Sequence, residues 1–246
     1  FASSLRTSVS SSPEPATAAP LRETSRPGTS GSLVPLIEVL HRIPERLSGK
    51  AILGMDVGGS DIKVVVAVNG RIEAYKEYDW FPADFRRTRE LVEPLLLIAG
   101  WGRVRAAVCE FPEFAEVRRQ LDSVATADAS DAQIAAVVEE AEARLGTNAP
   151  RLDAIGLCFP DVVVRNKIVG GEVYKTRGIR NNAEIDYEKD FALLTDLDQA
   201  LAEHCEPGGA VRIINDGPMA AFTAAVERAF SGDAAVNEGV FAHTLG

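Results

Sequence analysis

AILGMDVGGSDIKVVVAVNG, residues 51–70, is an apolar run broken by an acid and two glycines, after which a second apolar run begins. The two arms predict strands over 51–57 and 62–68, and Asn69–Gly70 is a hairpin signal leading into a third strand over 71–78. The tip of the first hairpin carries Asp56, Gly58, Gly59 and Ser60. A plain β-turn would account for the glycines. It does not account for Asp56, because a carboxylate ending an apolar strand is costly to bury without a partner. The chemistry that uses all four residues is phosphate binding. Gly58 and Gly59 let backbone N–H groups approach an anion, and Ser60 adds a hydroxyl. Asp56 suits a hydrated divalent cation beside a phosphate chain. Lys63 either adds positive charge or, by strand alternation, faces solvent.

Composition narrows the function. A net charge of −10 and a pI near 4.9 disfavour nucleic acid and anionic membranes as partners and leave small-molecule chemistry. The three cysteines, Cys109, Cys158 and Cys205, are an odd number without close spacing, which argues against a disulfide framework. No CxxC or His-x-x-x-His spacing points to structural zinc. No apolar run approaches the roughly 20 residues of a membrane span, so a cytoplasmic setting is expected. Residues 1–31, rich in Ser, Pro, Thr, Ala and Gly, cannot offset their ordering entropy. The expectation is a low-complexity tail over 1–32 and a folded lobe over 33–246. Phe1 in place of methionine, and Gly246 inside an apolar run, read as cut ends.

Working outward, Ser32 reads as the N-cap of a helix with Leu33, Leu36, Ile37, Leu40 and Ile43 on one face. Residues 87–99 and 131–145 read as helices, with a short strand between them at 104–111 (VRAAVCEF). LDAIGLCFP, 152–160, reads as a buried strand stopped by Pro160. A hairpin around Gly170–Gly171, a helix over 190–204, a strand over 211–215, a helix over 217–230 and a strand over 239–245 complete the reading. Such an order predicts an α/β domain with a mixed sheet.

The second place where chemistry concentrates is VRIINDGPMAAFTAAVERAF, 211–230. An apolar strand runs into Asn215–Asp216, and a helix follows with Met219, Phe222, Val226 and Phe230 on one face. In open α/β sheets ligands sit at the carboxyl ends of strands. Asp216 reads either as an N-cap, with Gly217–Pro218 in the first turn, or as a general base that takes a proton from a hydroxyl.

Taken together and in order, these motifs resemble the ROK family (repressors, open reading frames, kinases) of the actin–hexokinase superfold. DVGGSDIK is similar to that family's DxGGTxxK hairpin, and serine in this slot resembles its polyphosphate-using glucokinases. IGLCFPD resembles IGxxxPG, with Asp161 in place of the last glycine, and NDGPMAA resembles NDANAAA. HTLG, 243–246, is similar to the start of a second phosphate loop. The resemblance covers about residues 51–82 and 152–246. It implies an actin-like, ribonuclease-H-like lobe: three antiparallel strands, then parallel strands, flanked by helices, with a second lobe absent from this chain.

The resemblance further implies a carbohydrate kinase that transfers a phosphoryl group from ATP or polyphosphate to a hexose. Asp216 would be the base and, with Asn215, a sugar contact. Gly58, Gly59, Ser60, Lys63 and Gly246 would hold phosphate, and Asp56 would hold Mg2+. The fragment alone would be inactive. Hexose is the expected partner, without nucleic acid or membrane, and with a homo-oligomer as an option. Residues 83–130 exceed the family's usual length and suggest an inserted subdomain, a lid or an oligomer contact. TRGIRNN, 176–182, offers Asn181 or Asn182 to a sugar but reads more simply as a surface loop. His243 reads as a packed or edge residue, and Cys158 as a small core residue. Two rival functions remain on the same fold: a sugar-sensing transcriptional regulator and a non-catalytic actin-like scaffold.

Overall fold

The computed structural model describes residues 42–109, 111–146, 149–170 and 176–231. The chain divides into two units, Phe1–Val34 and Pro35–Gly246, and every described residue belongs to the second. Most of the helix expected over 33–43 and all of the strand expected over 239–245 lie outside the described residues. A one-turn helix, α1 (Ile43–Arg46), precedes the sheet.

Three strands meander as expected: β1 (Ala51–Val57), β2 (Asp61–Val68) and β3 (Arg71–Asp79). Asn69 and Gly70 both take positive φ, 53° and 74°, which is the backbone a two-residue hairpin of this twist requires. Two later strands, β4 (Leu152–Phe159) and β7 (Cys205–Asn215), complete a five-stranded sheet of order β3-β2-β1-β4-β7. The β1–β2 and β2–β3 pairs are antiparallel, and β1–β4 and β4–β7 are parallel. The fold is therefore α/β with a mixed sheet, in the order and polarity expected of an actin-like lobe.

Strand alternation gives the sheet two unequal faces. Leu53, Met55, Ile62, Val64, Val66, Ile155, Leu157, Val211 and Ile213 are buried on one face. Five helices cover that side: α2 (Arg89–Ala107), α3 (Ala115–Ser123), α4 (Asp131–Leu145), α6 (Tyr187–Thr195) and α7 (Leu197–Ala202). Their apolar side chains, Leu95, Ile98, Trp101, Leu121, Ile134, Phe191, Leu194 and Leu201 among them, share one core with the strands. Residues 83–130 thus contribute α2, α3 and the side chains of Val117, Leu121 and Val124 to this core.

Two expectations need correction. Residues 104–107 of the strand expected at 104–111 form the last turn of α2, which runs for 19 residues. Gly100 and Gly102 both lie inside the helix, and a Cβ at Gly102 would collide with Leu53. Gly102 lets the helix settle onto β1, and that contact offsets its poor helix propensity. The hairpin expected around Gly170–Gly171 runs into residues 171–175, outside the described residues; ahead of it a short hairpin turns at Arg165–Asn166, between β5 (Val163–Val164) and β6 (Lys167–Ile168). Asn166 tolerates its φ of 72° and anchors the turn to β7, its Oδ1 accepting from the Ile213 amide at 2.6 Å. The helix expected over 190–204 is two helices, α6 and α7, meeting at Asp196. Helix α3 went unread in the sequence. Among the described residues no helix is long and apolar enough to cross a membrane.

The open edge of β3 is closed by residues 124–127. Glu77 and Asp79 donate backbone N–H groups to the carbonyls of Ala125 and Ala127, at 3.3 and 3.1 Å. The fully buried Lys76 donates to the carbonyls of Val124 and Thr126, at 2.6 and 3.3 Å, with its ammonium near the rings of Tyr78 and Trp101. Burial lowers the Lys76 pKa to about 8, against a pull upward from Asp128 and Asp131. Burial and the hydrogen bond to Asp131 raise that of Tyr78.

The sign of the linkage follows from Lys76. Its folded pKa lies below its unfolded one, so the destabilisation from burying the charge is complete below about pH 8 and fades as pH rises toward 10.5. Relative to Lys76→Met, the wild-type unfolding free energy should rise by about 2 kcal/mol between pH 8 and pH 10. Urea melts of both proteins across that range measure the difference, and parallel pH profiles would show that Lys76 does not titrate there.

Candidate active site

At the carboxyl ends of β1, β4 and β7 the second face of the sheet is not filled by side chains. Alternation turns Gly54 and Asp56 of β1, and Gly156 and Cys158 of β4, toward this face. Gly54 stands beside Gly156 in the parallel register, and a Cβ on either would meet nothing within 4 Å. Above this floor lies α8 (Asp216–Ser231), which contacts β4 and β7. It presents Met219, Ala220, Thr223, Ala224 and Glu227 along one stripe. Floor and helix enclose a cleft of about 830 Å³, within the range of small-molecule sites.

This cleft brings together most of the residues singled out in the sequence. Asp56, Gly58, Gly59, Lys63 and Asp216 all line it. Cys158 lines it as well and is buried. Ser60 is not among the lining residues; its carbonyl accepts from the Trp80 amide at 3.0 Å. Gly246 and His243 lie outside the described residues.

The hairpin tip is tightly closed. The Gly58 amide donates to the Asp61 carbonyl at 2.8 Å, and a Cβ on Gly58 would come within 2.7 Å of that same oxygen. Space, not backbone angle, demands glycine at position 58, since Gly58 does not take a positive φ. Lys63 stands opposite Asp56 in the antiparallel register and is ion-paired with Asp61, whose carboxylate raises the ammonium's pKa.

At the other wall the helix begins at Asp216 itself, one residue earlier than expected. The capping is done by Asn215. Its Oδ1 accepts from the Gly217 amide at 3.0 Å, the bond an N-cap side chain makes, and its Nδ2 donates to the Asp161 carbonyl at 2.9 Å. The Asp216 carboxylate also accepts from the Gly217 amide, at 2.8 Å, and reaches the cleft. Asp161 is buried and holds the end of β4 in place, its Oδ1 accepting from the Val162 amide at 2.7 Å. Asn182 is engaged within the chain at both ends of its amide, with the Arg86 carbonyl and the Glu184 N–H.

Two roles here were missed in the sequence: the capping by Asn215, although Asn before a helix is an ordinary capping signal, and the contact made by Trp80. Trp80, at the end of β3, donates its indole N–H to the Gly58 carbonyl at 3.1 Å. Among the described residues no group of three or more His, Cys, Asp or Glu side chains could hold a metal ion alone. No protein-family model matches the chain, and no curated protein matches its sequence.

The division of labour between Asn215 and Asp216 is testable by stability alone. Asn215→Ala should cost about 1–2 kcal/mol in chemical denaturation through loss of the cap. Asp216→Ala should cost clearly less. Equal losses in the two variants would return the capping role to Asp216.

Proposed function

We propose that this cleft is the phosphoryl-transfer site of a sugar kinase, as the resemblance to the ROK family implies. The observation that carries the reading is the meeting of Asp56, Gly58, Gly59, Lys63 and Asp216 around one cleft, from strands and a helix far apart in sequence. The donor is ATP or polyphosphate and the acceptor a hexose hydroxyl. In this reading Asp216 accepts the hydroxyl proton as that oxygen attacks phosphorus. Its position at the first residue of α8 gives the carboxylate a fixed root, and Asn215 shares with it the task of holding the Gly217 amide. The Gly58–Gly59 backbone faces the transferring group, where N–H donors offset developing charge.

The charge of the cleft bears on the cofactor. Among the described residues Asp56, Asp216 and Glu227 line it against Lys63 alone, and Lys63 is already paired with Asp61. A polyphosphate chain entering such a site is repelled unless cations accompany it. Asp56 as the single carboxylate fits Mg2+, which favours one or two carboxylates with substrate phosphates and water completing its shell. When bound, the ion would neutralise charge on the phosphoryl oxygens. The reading also implies the cytoplasm, where such donors are found, and a second lobe closing over the sugar.

Asp216→Asn in the full-length protein is the decisive variant. The cap at Asn215 is untouched, so the melting temperature and the calorimetric affinity for the sugar should stay near wild type. Asparagine cannot take the proton, so kcat should fall by about 10²- to 10⁴-fold. Turnover within a few-fold of wild type would remove Asp216 from the mechanism. Failure of the wild type to phosphorylate any hexose from ATP or polyphosphate would sink the kinase reading and favour a regulator or scaffold.

A further inference from the structure

The orientation of the hairpin tip is set from behind, by a residue outside the motif. Trp80 is 3% exposed and makes two hydrogen bonds to the tip: its indole N–H to the Gly58 carbonyl at 3.1 Å, and its backbone N–H to the Ser60 carbonyl at 3.0 Å. The ring is itself held. It meets Phe85 edge-on, with centroids 5.9 Å apart and planes at 77°. The segment carrying Phe85 is wedged against the one-turn helix α5 (Arg177–Arg180), where a Cβ on Gly178 would collide with the Phe85 and Ala83 carbonyls.

A trans peptide has its C=O and the next residue's N–H on opposite sides. Drawing the Gly58 carbonyl toward Trp80 therefore turns the Gly59 N–H away from it, and Gly59 lines the cleft. The other end of the same residue is fixed too, since the Gly58 amide is bound to the Asp61 carbonyl. Without the indole bond the Gly58–Gly59 peptide has no side chain to resist rotation, and its N–H loses a fixed direction.

We propose that Trp80 is a positioning residue that aims the Gly59 N–H at an oxygen of the phosphoryl donor. The inference rests on the kinase reading above and adds to it a residue that sets donor affinity without touching the donor. Its effect is selective, because Asp216, to which the kinase reading assigns the sugar hydroxyl, stands on the opposite wall.

The experiment compares wild type, Trp80→Phe and Trp101→Phe in the full-length protein. Trp101 is the matched control, because it is also buried and its indole also donates to a carbonyl, that of Leu121 at 3.0 Å, away from the cleft. Affinity for magnesium tripolyphosphate and for the sugar is measured by calorimetry, with donor KM, kcat and melting temperature alongside. Trp80→Phe should weaken tripolyphosphate binding and raise donor KM by about tenfold, the loss expected of one misaligned bond to a charged oxygen. Sugar affinity should hold. Trp101→Phe should lower the melting temperature without that selectivity. Should Trp80→Phe destabilise the fold, a benzothienyl analogue installed at position 80 removes only the N–H and keeps the ring. Donor affinity within twofold of wild type in the analogue, or equal weakening of donor and sugar, overturns the proposal and leaves the kinase reading standing. Absence of any tripolyphosphate or ATP binding by wild type removes both.

Discussion

Side chains alternate across β1 and β4, so that Leu53, Met55, Ile155 and Leu157 enter the helical layer while Gly54, Asp56, Gly156 and Cys158 turn the other way. The candidate site depends on this division. One face carries the apolar area that holds the fold together, and its burial lets the other face do without side chains at Gly54 and Gly156. The glycine floor leaves room for the cleft, and the same alternation delivers Asp56 into it. A slip of one residue in either strand would bury the acid and expose the core.

The two walls of the cleft are built by different means. The hairpin wall is a backbone device: the Asp61 carbonyl holds the Gly58 N–H, Trp80 holds the Gly58 and Ser60 carbonyls, and side chains are almost absent. The helix wall is a side-chain device, in which Asn215 ties the end of β7 to the Asp161 carbonyl and to the first turn of α8. Both arrangements satisfy polar groups at strand ends, where a sheet can no longer do so. Satisfaction by neighbours is what leaves Asp56 and Asp216 facing the cleft.

A comparable solution closes the far edge of the sheet. Alternate carbonyls of residues 124–127 are taken by the backbone of β3 and by the ammonium of Lys76. A buried lysine costs free energy through desolvation. In return it binds a loop to an edge strand that would otherwise offer unpaired groups for aggregation.

The sequence by itself determined the elements whose signals are local. The period-two runs of β1 and β2, the Asn-Gly turn and the amphipathic pattern of α4 need no distant partner, so their boundaries were legible to within a residue or two. The motif residues Asp56, Gly58, Gly59, Lys63 and Asp216 were legible too, because a carboxylate or glycine pair at the end of an apolar strand is conspicuous in one dimension. Tertiary structure alone decided the rest. Gly102 is a poor helix former in isolation, and its place inside α2 is explained by the room it gives Leu53. The turn at Arg165–Asn166 is held from a distance, by the Ile213 amide of β7. The Asp161 carbonyl and the Gly217 amide give Asn215 a capping role that the sequence offered only to Asp216, and nothing near Trp80 in the sequence announces Gly58. Each of these choices rests on a contact between residues distant along the chain, and no local pattern encodes such a contact.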